Sequence, residues 1–132
     1  MEKIIAEKPD DASALNFIGY TLASSGKDID RAERLVRKAA ELRPDDGYIK
    51  DSLGWVLFKK GQTDAALQLL EEASSKVKSD PVIGEHLGDV LTSVGRQSQA
   101  VEAYRKSLQA NPDNLIVQDK LRKLESELSG KK

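Results

Sequence analysis

Apolar residues recur along the chain at three- and four-residue intervals, and each stretch of that pattern stops at a glycine. Segments 15–26, 50–61 and 84–95 show it, closing on Gly26, Gly61 and Gly95. This is the pattern of a helix with one buried stripe and a left-handed terminus. A second periodic stretch follows every time, over Ala32 to Leu42, Ala66 to Val77 and Ala100 to Ala110, with Ala66, Leu69, Leu70 and Ala73 on one face. Each pair of stretches predicts a helical hairpin.

The hairpins share a period. Gly19, Gly54 and Gly88 are 35 and 34 residues apart, Gly26, Gly61 and Gly95 repeat those intervals, and Ala32, Ala66 and Ala100 follow at 34 and 34. The one extra residue therefore lies between Gly26 and Ala32, at Lys27 or Asp28. Asp28 and Thr63 are expected to cap second helices, Asp45 or Asp46 the helix containing Trp55, and Asp80 the helix opened by Pro81. A glycine in the first helix and an alanine in the second allow close backbone approach, where a larger side chain would wedge the helices apart. The expected fold is all-α, a right-handed superhelical α-solenoid of antiparallel helical hairpins.

Leu53-Gly54, Leu57, Gly61, Ala66, Leu70 and Ala73 in one unit, and Leu87-Gly88, Leu91, Gly95, Ala100, Tyr104 and Asn111-Pro112-Asp113-Asn114 in the next, resemble the tetratricopeptide repeat signature. The resemblance spans residues 12–114. It departs from the family pattern where a bulky residue, present as Leu15, becomes Lys50 and Gly84. The closing proline, kept as Pro44 and Pro112, becomes Lys78, with Pro81 three residues on. The expected units are 12–46, 47–80 and 81–114, with a capping helix over 115–128 carrying Val117, Leu121, Leu124 and Leu128, and a frayed tail over 129–132. Residues 1–11 look like the second helix and closing turn of a preceding repeat, so the chain reads as the C-terminal part of a longer repeat protein, and segments 16–23 and 51–58 are similar to repeats of large bacterial proteins of this family.

Composition narrows the function. The 132 residues are 33% charged and only 5% aromatic, with a formal net charge of -1. No basic field is available to attract nucleic acid. No cysteine and a single histidine exclude thiolate chemistry and a multi-histidine metal site. No apolar run approaches the roughly 18 residues of a membrane helix. No phosphate loop, dinucleotide fingerprint or nucleophile elbow appears. His86 and Asp89 fall within reach on one helix, with no nucleophile or metal motif beside them. The chain is read as a non-enzyme without a cofactor, in the bacterial cytoplasm, or on the periplasmic side of the cell envelope if an export signal precedes it.

Such solenoids hold a peptide or partner protein on the concave face of their first helices. Helical spacing places Asn16, Tyr20, Tyr48, Asp51, Trp55, Lys59, Glu85 and Asp89 on that face, with Phe17 on another. An aromatic strip beside carboxylates suits a peptide with an apolar anchor and a basic residue or free amides. The alternative, that Tyr20, Trp55 and Phe58 fill the seams between hairpins, stays open. The family's clamp for terminal carboxylates uses Lys, Asn and Arg; only Asn16 matches, and the acidic residues here would repel such a ligand. Self-association through the N-terminal half-repeat, or a regulatory role within a larger enzyme, are the other readings.

Overall fold

The computed structural model describes residues 11–130. Among them the chain forms helices α1 Ala12–Ser25, α2 Ile29–Leu42, α3 Gly47–Lys59, α4 Thr63–Lys76, α5 Pro81–Ser93, α6 Gln97–Ala110 and α7 Leu115–Gly130, with no strand. The all-α helical-repeat fold is the one its periodicity predicts. Helices α1–α2, α3–α4 and α5–α6 pair as hairpins, and the hairpins stack in chain order with α7 against α6. None of these helices is long and apolar enough to cross a membrane.

The recurring small residues lie where helices of a hairpin touch. Ala32, Ala66 and Ala100 are fully buried. A methyl group at Gly54 would lie 2.9 Å from Leu70 Cγ and 3.2 Å from the Ala66 carbonyl oxygen, and one at Gly19 would lie 3.0 Å from the Ala32 carbonyl oxygen. The third hairpin differs. The position filled by Val36 and Leu70 in the first two holds Tyr104, whose ring covers Gly88. Two apolar clusters result, one around Leu15, Val36, Leu53 and Val56 and one around Leu70, Val90, Val101 and Val117, with Phe58 packed against both.

Side-chain caps fall on α1, α3, α5 and α7. Asp46 accepts from the Tyr48 and Ile49 amides at 2.8 and 3.2 Å, Asp80 from Val82 and Ile83 at 2.9 and 3.0 Å, and Asn114 from Ile116 and Val117 at 3.1 and 3.2 Å. Asp11 caps α1 through the Ala14 amide. Each such cap is worth about 1 kcal/mol. The expected caps at Asp28 and Thr63 are corrected. Asp28 stands at the N-cap of α2 but makes no side-chain cap bond, and Thr63 is already helical behind Gln62. Those helices start from tight turns tied by the backbone, as where the Gln62 amide donates to the Leu57 carbonyl at 2.9 Å, with Gly61 at φ 86°. Asp28 itself has φ 49°, a left-handed residue in the turn that carries the first unit's extra position.

Helix α7 buries Val117 and Leu124 and packs the half-buried Leu121 and Leu128 on the second cluster. It continues to Gly130, so the expected tail is helical at Ser129 and Gly130. The remnant helix expected over residues 2–8, and any docking through it, lies outside the described residues. Asp11, the last residue assigned to that remnant, is the N-cap of α1.

Candidate functional site

Three first helices present an open groove of about 560 Å³, lined by Ser13, Asn16, Phe17, Tyr20, Arg43, Asp46, Tyr48, Ile49, Asp51, Ser52, Asp80 and Val82. Phe17 and Tyr48 are 55% and 54% exposed there. Isolated apolar residues are ordinary on a protein surface, whereas two aromatic rings lining one concavity form a patch suited to a ligand. Asn16 Oδ1 is buried in this wall without a hydrogen-bond partner. Burying an unsatisfied carbonyl costs about 1–3 kcal/mol, so this wall carries an acceptor whose hydrogen bond is unmade.

Beneath the groove, His86 joins all three hairpins. Its Nδ1 lies 2.9 Å from Asp51 Oδ1, and both side chains are buried. Since an ionised carboxylate only accepts, Nδ1 carries the donated proton. Tyr20 Oη is 3.4 Å from Nε2, and Trp55 stacks on the imidazole with ring centroids 4.0 Å apart. Burial raises the Tyr20 phenol above its usual range; a hydrogen bond with Ser24 opposes that, and the charges of Asp51 and Glu85 add to it. Tyr20 is thus a neutral donor at physiological pH. Both imidazole nitrogens already face partners inside the protein.

The same contact recurs one hairpin along. Lys120 of α7 donates to Glu85 at 2.8 Å and to Asp89 at 3.0 Å, and Asp89 also accepts from Tyr104 Oη at 2.6 Å. Burial lowers the tendency of Lys120 to stay protonated, but hydrogen bonds to Glu85 and Asp89 outweigh it and raise its pKa. Burial, reinforced by Asp89, pushes the Tyr104 phenol well above its usual range. Asp51 with His86 and Glu85 with Lys120 are equivalent pairs, each one residue more than a 34-residue period apart. At the first junction the equivalent residues are Asn16 and Ser52, and there the acceptor, buried, has no hydrogen-bond partner.

Of the residues assigned to the concave face, Asn16, Tyr20, Tyr48 and Asp51 line one groove. Trp55 is half-buried against His86 and Phe58, with Lys59 Nζ 4.8 Å from the centroid of its ring. Glu85 and Asp89 lie beyond the groove, held by Lys120. Phe17, placed on another face by helical spacing, lines the groove with Arg43, Asp46 and Asp80. The last three belong to turns and caps, where a helical wheel carries no information. His86 pairs across hairpins with Asp51, and no bond joins it to Asp89 on its own helix. The sign of that pairing is the interval of one period plus one residue.

Residues 5–126 match the tetratricopeptide repeat-like domain. A TPR repeat-containing protein of Pseudomonas aeruginosa is 40% identical over 86 residues, covering 65% of this chain and 14% of its own length. The small glutamine-rich tetratricopeptide repeat-containing protein 2 of Mycosarcoma maydis is 34% identical over 110 residues, covering 81% of this chain and 30% of its own. The chain therefore spans less than a third of either relative. Among solved structures, the first TPR of Spaghetti (RPAP3) bound to the HSP90 peptide SRMEEVD superposes with a TM-score of 0.80 at 19% identity, over 89% of this chain and 93% of that one. A crystal structure of MamA gives 0.79 at 21%, over 97% and 74%. At these identities the likeness is one of fold.

Proposed function

Because the chain belongs to the tetratricopeptide repeat-like family, we propose that it is a non-catalytic protein-interaction scaffold that holds a peptide segment of a partner protein in its concave groove. The carrying observation is the coincidence, in one concavity, of Phe17 and Tyr48 half out of contact with protein and Asn16 Oδ1 without a partner. Apolar rings supply binding area at small entropic cost, and one buried acceptor fixes a peptide amide. The non-catalytic reading is supported by the engagement of His86 on both nitrogens beneath the surface. A proton shuttle must reach its substrate.

In this reading the binding units are residues 12–46, 47–80 and 81–114, with the helix from 115 as the cap. Asn16, Tyr20 and Tyr48 contact the peptide, while Asp51, Trp55, Lys59, Glu85 and Asp89 shape the face around them. Selection of a displayed random peptide library on the folded chain tests this. Selected peptides should bind wild type and lose at least about tenfold in affinity, the equivalent of 1.4 kcal/mol, on Phe17→Ser/Tyr48→Ser, with unchanged helicity. Equal binding to both proteins, or no enrichment, would sink the groove assignment.

A further inference from the structure

The last turn of α4, the turn that follows it and the last turns of α6 line a cavity of about 380 Å³ with Ser74, Ser75, Lys78, Ser79, Lys106 and Gln109. It shares no lining residue with the groove of the first helices. Two ammonium groups, three hydroxyls and one amide line it, and no carboxylate does. None of the six side chains makes a hydrogen bond or ion pair among the described residues. The repeat shows that the fold does not dictate this set. One 34-residue period earlier the same positions hold Ala40, Glu41, Pro44, Asp45, Glu72 and Ser75, three carboxylates and no cation. The turn departs from its equivalents as well. Ser79 takes φ 68°, whereas Asp45 and Asp113, in its place in the other closing turns, stay outside the left-handed region. Those turns are closed by the Asp46 and Asn114 amides on the Arg43 and Asn111 carbonyls at 3.3 and 3.4 Å. A non-glycine residue held left-handed is strained, and such strain gathers at binding sites.

We propose that this cavity binds a phosphate monoester group. Lys78 and Lys106 supply the charge, and the serine hydroxyls and the Gln109 amide supply donors to the three terminal oxygens. A carboxylate, with two oxygens and one charge, would leave donors unused. The volume falls within the range of small-ligand sites, about 300–1,000 Å³, so there is room for the group and part of the molecule that carries it. A lysine just past a helix C-terminus also complements the carbonyl end of that helix, which accounts for Lys78 and leaves Lys106 and the hydroxyls without a role. Glu71 and Glu102 border Lys106 in a neighbouring cleft, and neither forms an ion pair with it. Asp80, next to Ser79, is committed to the Val82 and Ile83 amides.

The test titrates the full chain with phenyl phosphate at about pH 7.5, where a monoester is mainly dianionic, and follows the backbone amides by NMR at constant ionic strength. The amides of Ser75, Lys78, Ser79 and Gln109 should shift saturably below about 10 mM, and benzoate should bind at least about threefold more weakly. Lys78→Gln and Lys106→Gln should each weaken phenyl phosphate at least about threefold, the worth of an exposed ion pair. Lys27→Gln, at an exposed lysine in another turn, should leave the affinity unchanged. Lys78 and Lys106 are exposed, so circular dichroism should show wild-type helicity in every variant. A phosphoserine within a serine-glycine peptide that binds at least about threefold tighter than phenyl phosphate would assign the group to a phosphorylated protein; otherwise it belongs to a free phosphate monoester. Absence of saturation by about 10 mM, equal affinity for benzoate, wild-type affinity in both site variants, or an equal loss in Lys27→Gln would each overturn the site.

Discussion

Replacing Gly54 by leucine tests the contact that closes the second hairpin. The first added carbon would lie 2.9 Å from Leu70 Cγ and 3.2 Å from the Ala66 carbonyl oxygen. The Leu70 side chain can shift, but the carbonyl belongs to α4 and moves only with that helix. Overpacking of this kind costs about 1–3 kcal/mol, and the three further carbons of leucine place it at the upper end. Removing a glycine from a helix interior returns about 0.8–1 kcal/mol of propensity. Gly54→Leu should therefore destabilise by about 2 kcal/mol, and Gly54→Ala should stay within about 1 kcal/mol of wild type. Urea denaturation followed by helical circular dichroism measures both, with Gly130→Leu as control, since nothing lies within 4 Å of that position. A Gly54→Leu protein as stable as wild type would show that the helices of the second hairpin are not held at backbone distance.

Other consequences are equally open to measurement. Asp51→Ala strands the buried Nδ1 proton of His86 and should cost about 1–3 kcal/mol; Asp51→Asn keeps an acceptor and should cost less in the same urea titration. Leu124 is buried under α7, so Leu124→Ala should cost about 2–5 kcal/mol, against less than about 0.5 for Leu115→Ser at the exposed start of that helix. Hydrogen bonds from Lys60 and Arg37 hold the Glu33 carboxyl below its usual range. A depressed folded-state pKa contributes stability above the unfolded value of about 4.3 and loses it as pH falls through the folded value. The melting temperature of wild type should accordingly fall more steeply between about pH 5 and pH 3 than that of Glu33→Gln; parallel curves would remove Glu33 from the acid response.

The fold was legible because it repeats. Gly19, Gly54 and Gly88 with their partner alanines mark the helix contacts, and a spacing seen three times leaves little room for accident. Single residues gave less. Asp28 has the chemistry of a cap, but its left-handed backbone turns the side chain out of that role. Helical spacing finds Asn16, Tyr20, Tyr48 and Asp51 together, since all lie on first helices. It misses Arg43, Asp46 and Asp80 because turns obey no helical period. It misplaces the role of Glu85 and Asp89 because their cation, Lys120, comes from another helix 35 and 31 residues on. Pairing across hairpins depends on which residues a neighbour offers, and that is visible only once the stacking is known.

The chemically distinct contacts between neighbouring first helices also make the units non-interchangeable. Excising residues 47–80 would bring Asn16, a neutral amide, to the imidazole now matched with Asp51; transposing the second and third units would set Glu85 against Ser52 and Asp51 against Lys120. Helix length alone would tolerate either rearrangement, because α3 and α5 have 13 residues each and α4 and α6 have 14 each. The side chains act as serial numbers: a shuffled gene would still encode helices, but its products would assemble with mismatched neighbours and lose cooperativity before losing helicity.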